Sequence, residues 1–107
     1  QYDRAERHFT EAVRILENSF SPNHIYLAKP VWWLAVIESE TDRQNESLLK
    51  FSRVLKIYAQ YHKRMGIRHS MMDGLESDYR QTLQEMGFDE LDVEIYWDEA
   101  LTTAYAE

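Results

Sequence analysis

The chain has no cysteine, three glycines and two prolines. Without cysteine there are no disulfides and no thiolate metal sites, a usage that fits a reducing cytoplasm. So few turn-forming residues leave little punctuation for a many-stranded β fold and favour helices. Apolar runs are short. The longest, Val31 to Ile37, falls far below the roughly 20 residues needed to span a bilayer as a helix. No signal peptide is legible. Positive charge is scarce as well, with 12 basic residues against 19 acidic and a net charge of −7. A nucleic-acid-binding face needs the opposite balance, so neither nucleic acid nor membrane is expected as a partner.

What remains is enough for one domain. The 107 residues are 44% apolar and include three Trp, seven Tyr and four Phe. A chain of this size buries about two thirds of the surface its unfolded form exposes, and so much aromatic content argues against disorder. The sequence begins at Gln1 rather than Met, which leads us to expect a processed protein or a piece of a longer one.

Periodicity then divides the chain. Tyr2, Ala5, Phe9, Ala12, Val13, Leu16 and Phe20 recur at spacings of three and four, one stripe of a helix over 2–20. Ser21-Pro22-Asn23 breaks it. A second helix is expected over 24–40, with Leu27, Ala28, Val31, Leu34 and Ala35 as its stripe. Pro30 should kink this helix or mark a late start within its first turn. A buried strand over 31–37 is the rival reading, since a short apolar run has no diagnostic period. Thr41 and Gln44 resemble a capping box opening a third helix over 43–65. Its stripe is Leu48, Phe51, Leu55, Tyr58, His62 and Met65, and Gly66 is its natural stop. A fourth helix over 69–86 carries Met72, Leu75, Tyr79, Leu83 and Met86 and ends at Gly87. Asp89 caps a fifth over 90–105, whose Val93, Ile95 and Trp97 also alternate as a strand would.

The chain repeats itself. Shifted by 42 residues, Phe9 falls on Phe51, Val13 on Leu55, Arg14 on Lys56 and Ile15 on Ile57; after three inserted residues, His24 falls on His69. Tyr2-Asp3-Arg4-Ala5-Glu6, Ala12-Val13-Arg14-Ile15-Leu16-Glu17, Ser21-Pro22-Asn23-His24 and Leu34-Ala35 together resemble the long, roughly 42-residue tetratricopeptide repeats of kinesin light chains and similar scaffold proteins. The likeness covers residues 2 to 58. It implies an all-α fold of antiparallel helical hairpins stacked as a short right-handed superhelix of about five helices. It also implies a protein–protein interaction module without a cofactor. In this register residues 2–20 are the second helix of a repeat, so a face of that helix is left for an upstream neighbour or for self-association. The sequence departs from the family pattern at Ser21, in place of Gly, and at Ile25, in place of the turn's second Pro. Trp33 stands where the family has an Asn that holds a bound peptide's backbone.

The same resemblance turns Lys29, Trp32, Trp33, Val36, Ser39 and Glu40 towards a concave groove, with Asp73, Ser77, Asp78 and Gln81 on the next groove helix. Aromatic side chains are favoured anchors because they bury large area at little entropic cost. The acidic residues would form a wall able to receive a basic segment of a protein or peptide. Against this stands the plainer reading, in which both tryptophans are core and the acidic wall is a solvated helix face.

Catalytic and metal readings find little. None of His8, His24, His62 and His69 has a Glu three residues before it or a His four residues away, the spacings of helical metal sites. The acidic run Asp89 to Glu99 lacks the glycine and alternation of a calcium loop. No phosphate loop or nucleophile elbow is present. The expectation is therefore a non-enzymatic binding module, with a self-associating capping segment of a longer solenoid as the alternative. Helix five, with Asp92, Asp98 and Glu99 outward, would act as the closing cap.

Overall fold

A computed structural model describes residues 2–106, so Gln1 lies outside the described residues. Among the described residues there are five α-helices and no strand: α1 (Tyr2–Ser19), α2 (Ala28–Glu40), α3 (Gln44–Met65), α4 (Met72–Glu85) and α5 (Glu90–Ala106). Both strand-like stretches, 31–37 and 93–97, are helical.

Each helix packs antiparallel to the one before it. Tyr2 reaches Glu40 and Phe9 stacks on Trp33 across the first pair. Gln44 meets Ser39 and Ser47 meets Ala35 across the second. Phe51 meets Tyr79 across the third and Arg80 meets Glu94 across the fourth. Alternate helices therefore run parallel. From α1, Glu6 pairs with Arg43 just before α3 and Glu17 with Arg53 within it, while Trp32 joins Asp78 and Ser39 joins Thr82 between α2 and α4. The molecule measures 40 × 39 × 20 Å. Its short dimension is two helix diameters, each about 10 Å, so the helices lie in two layers.

The core sits around α3. Phe51, Val54, Leu55, Ile57, Tyr58 and Ala59 are all buried, on more than the single stripe the sequence implies, because α2, α4 and α5 enclose this helix. Leu27, Ala28, Val31, Leu34 and Ala35 are buried as their spacing predicts, and so are Met72, Leu75, Tyr79 and Leu83. Desolvation pushes the Tyr58 phenol up to about 12. By contrast, α1 has no fully buried residue among those described. It packs along one side, against α2 and the turn before it, and Tyr2, Ile15 and Phe20 stay exposed.

Three helix starts differ from expectation. His24 does not open the second helix. It begins a 3₁₀ turn, Ile25–Leu27, and α2 follows at Ala28. Pro30 then occupies the first turn of α2, where its missing N–H costs nothing. His69 likewise precedes α4 by three residues. Thr41 and Gln44 form no capping box. The Thr41 hydroxyl donates back to the Ile37 carbonyl at 2.8 Å, the Gln44 amide donates to the Ser39 carbonyl at 3.1 Å, and Arg43 precedes α3. Asp42 closes this turn at φ 60°, a left-handed conformation that Asp tolerates better than most residues.

Other signals hold. Gly66 ends α3 at φ 75°. The Asp89 carboxylate accepts the Asp92 N–H at 2.9 Å. His24 Nδ1 accepts the Tyr26 N–H at 3.1 Å, and His69 Nδ1 accepts the Met71 N–H at 3.0 Å. The two histidines aligned by the 42-residue shift and its three-residue insertion thus cap their turns in the same way.

Candidate functional site

Between the parallel helices α2 and α4 runs an open concavity floored by Phe51 of α3. On α2 its wall is the stripe Lys29, Trp32, Trp33, Val36, Ser39 and Glu40. The opposite wall comes from the start and the exposed side of α4, with Met71, Asp78, Gln81, Thr82 and Glu85. The concavity has two halves, of about 480 and 530 Å³, which share Val36 and Asp78.

The halves differ in chemistry. Trp32, Trp33, Val36 and Met71 make the first largely apolar, with Lys29 at its rim. Trp33 is 53% exposed and Met71 41%, so each shows a hydrophobic surface to solvent. The Trp33 ring is parallel to that of Phe9 with centroids 6.0 Å apart, which fixes its orientation. In the second half the lining includes the carboxylates Glu40, Asp42, Asp78 and Glu85, and among the described residues no Lys or Arg lines it.

Trp32 has a different role from Trp33. It is half-buried, and its indole N–H donates to Asp78 Oδ2 at 2.7 Å, tying α2 to α4. Gly74 makes room for this ring: a Cβ there would lie 3.4 Å from Trp32 Cη2. Further along, Ser39 Oγ lies 3.2 Å from Thr82 Oγ1 and donates to Glu85 Oε1 at 3.4 Å. Glu40 accepts from the Tyr2 hydroxyl at 2.7 Å, and this carboxylate raises the Tyr2 pKa.

Of the ten residues chosen from sequence, Lys29, Trp32, Trp33, Val36, Ser39, Glu40, Asp78 and Gln81 line the concavity. Asp73 and Ser77 do not line it. Both are exposed, and Asp73 pairs with Arg68 at 2.8 Å. Asp78 belongs to the wall but is engaged by Trp32. Residues missed from sequence are Met71, Asp42, Gln44, Phe51, Thr82 and Glu85. The alternation of α4 could have supplied Thr82 and Glu85, which lie four and seven residues after Asp78.

The histidines are accounted for by local contacts. His62 Nδ1 lies 2.8 Å from the Tyr105 hydroxyl, a half-buried pair between α3 and α5. His69 stacks on Tyr58 with centroids 4.2 Å apart. Its pKa is lowered, first by burial and then by Lys29. Among the described residues no three or more His, Asp or Glu side chains converge as a metal site would require, and no helix is long and apolar enough to cross a membrane. The outer face of α5 exposes Asp92, Asp98 and Glu99 as expected, but Leu91, Ile95 and Tyr96 are exposed there too, so it is less polar than a closing cap was expected to be.

Compared with protein-family models, curated proteins and solved structures, the chain matches none.

Proposed function

We propose that this chain is a peptide-binding interaction module whose ligand lies in the concavity between α2 and α4. The observation that carries this reading is Trp33. The opposite face of its helix is buried, yet its ring stands half exposed in a concave wall beside Phe9, with surface open to an apolar side chain. The parallel course of α2 and α4 supports the reading, because it is what a tetratricopeptide-like stacking would require. In such a stack the first helices of successive hairpins run parallel and line the inner surface. The fold then serves as a rigid frame rather than as a source of reactive groups, and a binding module in the cytoplasm needs no cofactor.

Selection of a random-peptide phage library against the chain tests this. Selected peptides should lose binding to Trp33→Ala while its circular dichroism keeps the helical signal. Equal binding by wild type and variant would refute the groove assignment.

A second reading has its own observation. With no fully buried residue among those described, α1 offers exposed Ile15 to a neighbour, with partly exposed Phe20 just beyond its end. On this reading a second copy of the chain covers α1, and light scattering would show a dimer that Ile15→Glu converts to monomer. A monomeric wild type would reject it.

A further inference from the structure

Building on the peptide-groove reading, we infer that the ligand is bipartite: an extended segment with a bulky apolar side chain and a Lys or Arg two to four residues away from it. The two halves of the concavity sort these groups. Trp32, Trp33, Val36 and Met71 surround the apolar end, where an aromatic or large aliphatic side chain replaces water against exposed hydrophobic surface. Glu40, Asp42 and Glu85 surround the other end, beyond Asp78, without a lining Lys or Arg among the described residues.

Charge complementarity selects the occupant. An acidic segment would bring its carboxylates against Glu40, Asp42 and Glu85 with nothing there to neutralise them. A purely apolar segment would desolvate these groups without return. A basic side chain does neither, and it can accommodate the existing bonds. Among the described residues, Glu40 uses one oxygen for Tyr2, and Glu85 accepts from Ser39 and Gln81, both uncharged donors.

The spacing follows from helix geometry. Trp33 and Glu40 are seven residues apart on α2, about 10 Å along the axis at roughly 1.5 Å per residue. An extended peptide covers that distance in about three residues. With the latitude of a long Lys or Arg side chain, the charged residue falls two to four positions from the anchor.

The test uses the peptides selected from the random library on the intact chain. They are aligned on their largest apolar residue and measured against wild type, Trp33→Ala and the triple variant Glu40→Gln, Asp42→Asn, Glu85→Gln. The expected result is an excess of Lys and Arg two to four residues from the anchor. Binding to the triple variant should be about tenfold weaker, the combined effect of several partly exposed charge pairs, and should have a flatter salt dependence than binding to wild type. Peptides that need Trp33 but carry no basic residue, or bind the triple variant equally well, would overturn the bipartite ligand and leave the groove reading intact. Peptides indifferent to Trp33→Ala would overturn both. The triple substitution is nearly isosteric and exposed, and a circular dichroism spectrum matching wild type confirms that the comparison is of folded proteins.

Discussion

The indole N–H of Trp32 donates to the Asp78 carboxylate at 2.7 Å, linking two parallel helices whose residues are 46 positions apart. This bond sets the width of the concavity at its midpoint, where the apolar and acidic halves meet. Removing the acceptor leaves a half-buried indole N–H unpaired, a loss of about 1–2 kcal/mol. Asp78→Ala should therefore lower stability by about that amount in chemical denaturation, while Asp78→Asn, which can still accept from the indole, should retain about half or more of it.

His69, in the second of the two repeat turns, makes a pH prediction. His69 has a lowered pKa in the folded chain, first because it is buried and second because of Lys29. The unfolded chain, with an ordinary histidine pKa near 6.5, then binds more protons in the window below that value. Stability from this site is complete above the unfolded pKa and falls as pH drops through it towards the lower folded value. The geometry agrees, since protonated Nδ1 cannot accept the Met71 N–H. Urea midpoints measured from neutral to mildly acidic pH should fall, and the fall should be smaller in His69→Asn, whose side-chain oxygen can accept the same N–H without titrating.

Glu6 and Arg43 fasten α1 to the turn before α3 through two bonds of 2.7 and 2.8 Å. Arg43 also donates to Thr41, and its guanidinium keeps the Glu6 carboxyl below its ordinary pKa. Because α1 packs on one side only, loss of this clasp should free it locally rather than unfold the domain. Arg43→Ala should speed amide exchange across α1 while that of α3 stays slow. Arg43→Lys should fall between wild type and the alanine variant, since an ammonium cannot make the two-pronged contact.

Two glycines should respond in opposite directions. Gly66 holds φ at 75°, so Gly66→Ala should cost about 1 kcal/mol. Gly74 sits in the interior of α4, and a methyl group there would lie 3.4 Å from Trp32. Gly74→Ala should stabilise by about 0.5–1 kcal/mol, provided the Trp32 ring gives by a few tenths of an ångström. Thermal melts of the two variants decide this.

Much of the helical framework was legible because it rests on local signals. The stripes of α2 and α4, the Gly66 stop, the Asp89 cap and the alignment of His24 with His69 all lie within single elements or a simple sequence shift. The groove residues of α2 followed from one stripe and its phase. What could not be read depends on distant partners or competing bonds. Trp32 finds Asp78 across the fold, which takes that carboxylate out of a freely available wall. Thr41 satisfies the end of α2 instead of opening α3, its hydroxyl bonded to the Ile37 carbonyl. The burial of α3 on several faces comes from its central place, which its own sequence does not encode. Asp73 and Ser77 lie on α4 outside the lining of the concavity.

The central claim is that the α2–α4 concavity is the binding face. Hydrogen–deuterium exchange of the chain with and without a library-selected peptide tests it most directly. The account predicts slowed exchange in residues 29–40 and 71–85, with the outer faces of α1 and α5 unchanged. Protection confined to α1 or α5, with none across α2 and α4, would contradict it.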